Sequence, residues 1–161
     1  QWINELVARH GRLLIVDPRG IGATAPRPIN GYPVHGYYGT EFKLNYDAMM
    51  LGDSLFAMRA YDLFRALDYA RRIAPEVRGV GKGAVGLCLL AAAAAAQKPI
   101  TLELGDCPGS WEQYVTSRLI DPDFGLEVFS VLRDFDVPDL IALIAQAGGQ
   151  VTLVSDQTAG T

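Results

Sequence analysis

The sequence predicts an α/β fold: a mostly parallel sheet of about four strands flanked by helices, with residues 1–161 forming one domain. Three observations predict it. Residues 77–96 read VRGVGKGAVGLCLLAAAAAA, a short apolar strand that runs through a glycine turn straight into a helix of small apolar residues. Residues 13–16, Leu-Leu-Ile-Val, form an uninterrupted apolar run of the kind that suits a parallel strand covered on both faces. Strand-like and helix-like segments then alternate to the end of the chain, and right-handed crossovers between such strands make them parallel.

Taken in order, Trp2, Ile3, Leu6 and Val7 recur at helical spacing, so residues 2–10 read as a helix closed by Gly11, with His10 as a solvated or dipole-paired side chain near its end. Strand 12–16 follows. At its carboxyl end, where open α/β sheets place ligands, stands Asp17-Pro18-Arg19-Gly20-Ile21-Gly22. There Asp17 is expected to cap local amides and pair with Arg19, setting the shape of the loop. Residues 24–46 lack periodicity and are long for a connection within a domain, which marks them as a lid, a wall or a surface excursion. Their aromatics, Tyr32, Tyr37, Tyr38, Phe42 and Tyr46, either line an apolar or sugar-stacking pocket or pin the loop to the domain. His35 lies among them, between Val34 and Gly36, and is not expected to work as an acid or base.

Residues 51–72 give the clearest helix, with Phe56, Ala60, Leu63, Leu67 and Ala70 on one stripe and Arg59, Asp62 and Arg65 placed on another side for intrahelical pairing. Ser54 near its start is expected to make a local backbone hydrogen bond. Strands at 77–80, 100–104 and 151–155 enclose the alanine helix, a short amphipathic helix at 111–119, an ambiguous apolar stretch at 124–135 and a helix at 140–147. The last of these is capped from within Asp136-Val137-Pro138-Asp139, with Leu140, Ile141, Leu143 and Ile144 buried. Both outer strands of such a sheet are exposed, which gives the chain edges through which to form a homo-oligomer.

A net charge of −4, with no basic block or stripe, argues against nucleic acid and an anionic membrane surface as partners. The longest apolar run, 84–96, is shorter than the roughly 20 residues a membrane span needs. Cys88 and Cys107 read as two free thiols. No H-E-x-x-H, paired cysteines or clustered histidines occur, and Asp121 and Asp123 are too few for a calcium loop, so neither metal nor cofactor is expected. The chain opens without an initiator methionine or a signal peptide and reads as a piece of a longer protein, which leaves its compartment illegible.

The DPRGIGAT loop, the helix LGDSLFAMRAYDLFRALDY, the turn GKGAVG with its alanine helix, and VLRDFDVPDLIALIA before the last strand together resemble the second part of an α/β-hydrolase. The resemblance is to the acetyl xylan esterase and cephalosporin deacetylase-like group of bacterial acyl esterases. It covers nearly the whole chain and implies a partial α/β-hydrolase-like domain from a parent that is secreted or periplasmic. Carried over residue by residue, the nucleophile position of the G-x-S-x-G elbow falls on Gly83. The amide of Ala84 takes half of the oxyanion hole, and Asp156 takes the acid position. Gly83 has no side chain with which to attack, and the only histidines, His10 and His35, precede the elbow.

The first function expected is therefore a catalytically degenerate domain that supports a larger protein or binds a carbohydrate or acyl ester through Tyr37 and Tyr38. The second is an esterase with a relocated nucleophile, drawn from Ser54, Ser110, Ser117 or from outside the chain. The third is nucleotide or phosphate binding at Gly81-Lys82-Gly83-Ala84-Val85-Gly86, a full G-x-G-x-x-G. There Lys82 attracts an anion and Glu103, about 20 residues on, stands where a ribose-binding acid belongs.

Overall fold

The computed structural model describes residues 2–10, 12–28, 31–117 and 125–154. In chain order the elements are helix α1 (Trp2–His10), a single 3-10 turn (Gly22–Thr24), α2 (Thr40–Met50), α3 (Leu55–Ile73), β1 (Arg78–Lys82), α4 (Gly83–Ala96), β2 (Thr101–Gly105), α5 (Trp111–Thr116), α6 (Val131–Asp134), α7 (Val137–Gln146) and β3 (Gln150–Val154). The sheet has three parallel strands in the order β1-β2-β3, in the register Arg78–Thr101–Gln150 through Lys82–Gly105–Val154.

The sheet is one strand short of the expected four. Residues 12–16 are extended but join no ladder, and Leu14 and Ile15 are 51% and 66% exposed. Among the described residues none of their backbone groups bonds to another backbone group. The apolar run is strand-like, but a strand also needs a neighbour to satisfy its amides and carbonyls, and among the described residues no strand pairs with it. Val16 alone of the run packs against the core.

α4 is apolar on every side because it is the middle layer: its residues meet β1 and β2 on one side, α7 on another and α3 behind. Leu87, Leu90, Leu102, Leu104 and Ile144 are almost completely buried there. A Cβ on Gly79 would press on Leu102 and Leu89, which places Gly79, Gly81, Leu102 and Leu104 on the α4 face. By alternation, Val80, Lys82, Glu103 and Gly105 line the opposite face, where Arg9 of α1 stands 3.8 Å from Glu103. α4 therefore packs on one face of the sheet and α1 reaches the other through Arg9.

The terminating signals act as expected. Asp136 caps α7 by accepting from the Val137 amide (2.6 Å) while its own amide donates to Asp139 (2.8 Å), so α7 starts three residues before 140. Ile144 and Leu140 are buried, whereas Leu143 faces outward. Ser54 accepts from the Ala57 amide (3.0 Å) and starts α3, as its local role predicts.

One helix is not expected from the sequence. Residues 40–50, which overlap the expected aperiodic loop at 40–46 and end before the expected helix at 51–72, form α2: Thr40, Glu41 and Asn45 are buried while Leu44, Tyr46 and Met50 are exposed. Arg59 likewise departs from its predicted exposed stripe, being only 2% exposed beneath α2.

Candidate functional site

Two places concentrate the features picked out in the sequence. The first is the turn from β1 into α4. The strand enters the helix directly, with Lys82 extended at the N-cap and Gly83 as the first helical residue at φ +54°. Its glycines do different work. A Cβ on Gly81 would stand 2.9 Å from the Gly86 Cα, and one on Gly86 would stand 2.6 Å from the Cys107 Sγ, so these two permit the strand and helix to cross. A Cβ on Gly83 would meet nothing within 4 Å. Gly83 is thus required for its left-handed backbone, and among the described residues nothing crowds the position that a nucleophile would occupy.

Ala84 is the next residue of α4, so its amide belongs to the first helical turn, and no side chain caps that turn. The Lys82 side chain lies across Gly105 and approaches Asp106 at 3.6 Å, on the face of the sheet opposite α4 rather than at the tip of the turn. Together with Arg9, Val80 and Glu103 it lines a groove of about 240 Å³ in which two cations face two carboxylates. Glu103 points into this groove toward Arg9.

Cys107 was read only as a free thiol, yet its Sγ donates to the carbonyls of Gly83 and Gly105, each at 3.3 Å, directly beside the turn. Burial, with the Asp106 carboxylate adding to it, pushes this thiol up to about 11. A protonated thiol donating to carbonyls is no nucleophile at neutral pH. The signal that could have found it is topological: the loop after β2 must lie beside the loop after β1 in a parallel pair.

The serines are structural. Ser54 caps α3 and is buried. Ser110 donates to Asp136 (2.6 Å) and caps α5 by accepting from the Gln113 amide, and Ser117 closes α5. Burial works against ionisation of Asp136, but the bonds it accepts from Ser110 and from the amides of Trp111 and Val137 hold its carboxyl below the ordinary range. Asp156 and the side chain of His10 lie outside the described residues, as do Asp121 and Asp123. Among the described residues no cluster of three or more His, Cys, Asp or Glu is placed to hold a metal, and no helix is long and apolar enough to cross a membrane.

The second place is the segment before α2. Asp17 accepts from the Ala23 amide (2.9 Å), as expected, but Arg19 pairs elsewhere: its guanidinium holds Asp62 of α3 at 2.5 and 2.8 Å. The loop is therefore clamped to α3 instead of closed on itself. Residues 33–39 fold into two successive turns, Gly36 donating to Pro33 and Gly39 to Gly36, and a Cβ on Gly39 would collide with the Pro33 carbonyl.

These turns bring rings together on the outer side of α2. Tyr38 lies 5.4 Å and Tyr37 6.3 Å from the Phe42 ring centre, Tyr46 lies 4.7 Å from it, and Tyr32 lies 6.1 Å from Tyr38. Tyr37 and Tyr38 are 58% and 61% exposed, so the cluster is an external ledge and not the lining of an enclosed pocket. The Glu127 carboxylate beside Tyr46 pushes its phenol up.

Under the ledge runs a polar relay. His35 Nδ1 bonds a Glu41 carboxylate oxygen, the other Glu41 oxygen meets Arg59 Nη1 at 2.5 Å, and Arg59 Nε donates to the Arg19 carbonyl at 3.0 Å. Glu41 and Arg59 are buried while the His35 side chain is 58% exposed. Sequence reasoning missed this relay. The available signal was Gly-Thr-Glu at 39–41, a helix start with an acid in its first turn.

No protein-family model, curated protein or solved structure matches the chain.

Proposed function

We propose that the chain is a catalytically degenerate α/β-hydrolase-like domain, a module of a larger acyl or acetyl xylan esterase-like protein, with a structural or binding role. Its ligand-facing residues are Tyr37 and Tyr38, and carbohydrate is the ligand class their exposed rings suit best. One observation carries the reading. The turn that would present a nucleophile has the left-handed backbone, nothing among the described residues crowds a side chain there, and the residue is Gly83. The nearest sulfur is the half-buried Cys107 thiol, which donates to the Gly83 and Gly105 carbonyls, and Ser54 and Ser110 serve as helix caps.

A serine-reactive fluorophosphonate tests it: intact-mass analysis is expected to show unmodified protein, with no acetyl-ester hydrolysis above background. A single stoichiometric adduct would replace the proposal with an esterase that uses a relocated nucleophile.

A second reading, an anion or nucleotide at the α4 N-terminus, is favoured by the lack of crowding over Gly83 and of a capping side chain among the described residues. Calorimetric titration with NAD and ATP at millimolar concentration separates the two, since the degenerate-domain reading expects no heat.

A further inference from the structure

We propose that His35 and the rings of Tyr37 and Tyr38 form one site for a neutral saccharide, with the rings stacking on a sugar face and His35 Nε2 accepting a hydrogen bond from a sugar hydroxyl. The inference rests on the reading of the tyrosine ledge as a binding surface and adds its polar determinant.

Placement is the first argument. His35 is fastened to Glu41, whereas Tyr37 and Tyr38 are fastened to Phe42, the next residue of the same helical turn. Two turns closed at Gly36 and Gly39 join these residues, so the imidazole and the rings are anchored to adjacent positions of one helical turn. Orientation is the second. A carboxylate at Nδ1 selects the tautomer with its proton on that nitrogen, which leaves the lone pair on Nε2. His35 makes no other hydrogen bond among the described residues, and its ring is largely exposed.

Charge is the third argument. Glu41 would make the site anionic, but the buried Arg59 guanidinium neutralises it from beneath. Beside the rings the imidazole therefore offers an acceptor whose supporting carboxylate is already paired, which suits a ligand rich in hydroxyl donors. A carboxylate and guanidinium both removed from water to hold an exposed ring also mean that little freedom is lost on binding. A proline-rich peptide would use the same rings, but it offers few donors for the imidazole.

The test is calorimetric titration of the 161-residue chain with xylohexaose, cellohexaose and a decaproline peptide, alongside H35A, H35Q and the double variant Y37A/Y38A. All three changes are at exposed side chains, and thermal melting verifies folding. Oligosaccharide binding is expected to be lost in Y37A/Y38A, to weaken about tenfold in H35A, and to be partly restored in H35Q, whose amide can still accept. Binding that disappears with the tyrosines but is unchanged in H35A would overturn the role of His35 and leave the ledge reading intact. No heat with either sugar, or heat with decaproline alone, would overturn the saccharide site and the carbohydrate reading with it.

Discussion

The two halves of this molecule bury opposite kinds of residue. Around the sheet, α4 and α7 press Leu90, Leu102, Leu104 and Ile144 together. Around α2 the arrangement is reversed: Thr40, Glu41, Asn45 and Arg59 are inside, while Tyr46, Met50 and Leu51 face water, the last two at 85% exposure. The sheet half is held by apolar burial, which is non-directional and tolerates changes of shape better than changes of volume. The α2 half is held by directional bonds. Thr40 reaches the Arg27 carbonyl, Asn45 accepts from the Leu55 amide, and Glu41 joins His35 to Arg59. Such an assembly is specific, and it fails when any one partner is removed.

The sharpest way to break the contrast is Arg59→Ala. It leaves the buried Glu41 carboxylate with His35 but without its cation and is expected to destabilise by about 3 kcal/mol. Urea unfolding reads the loss, and hydrogen exchange is expected to place it in residues 40–50. The double variant E41L/R59M, which removes both charges at similar volume, should recover most of that loss. Equal destabilisation by both variants would mean that packing and not charge holds α2.

A second comparison lies within the sheet half. Gly86→Ala forces a Cβ against Cys107 and the Gly81 backbone and is expected to cost about 1–3 kcal/mol by overpacking. Gly83→Ala meets no neighbour and carries only the left-handed backbone strain, about 1–2 kcal/mol. A larger loss at Gly83 would mean that its surroundings are not open.

The smallest expected effect is electrostatic. The hydrogen bond from Arg19, opposed by burial, holds the Asp62 carboxyl below the ordinary range. A depressed folded value gives stability that is present above the unfolded value, near 4, and is lost as the pH falls through the folded one. Wild type and D62N should therefore differ at neutral pH by no more than about 1 kcal/mol, because the pair is partly solvated, and should converge as acid is added. A gap that persists at pH 2 would assign the difference to something other than ionisation.

These contrasts also mark what could be read from the sequence. Where apolar residues face inward, periodicity locates the element: α3 through Phe56, Leu63 and Leu67, α7 through Leu140 and Ile144, and β2 through Leu102 and Leu104. α2 was hidden because period-based reading assumes that the apolar side is the buried one, and here it is not. Arg59 was misplaced for the same reason, since a charge on a helix is ordinarily solvated. Residues 13–16 were over-read because local strand preference says nothing of whether a neighbouring strand exists. The glycine turn was legible as a strand-to-helix junction, but the distinct reasons for Gly81, Gly83 and Gly86 appear only when neighbouring atoms are placed around them.

Residues 12–16 give a folded molecule one of the marks of an unfinished one. Holdase chaperones and quality-control proteases recognise short extended apolar segments with unbonded peptide groups, and residues 12–16, which bond to no other backbone group among the described residues, expose Leu14 and Ile15 on the surface of an otherwise packed domain. Such a stretch is where the chain would be engaged before its core unfolds, so stabilising α4 or α7 would protect it less than covering this segment.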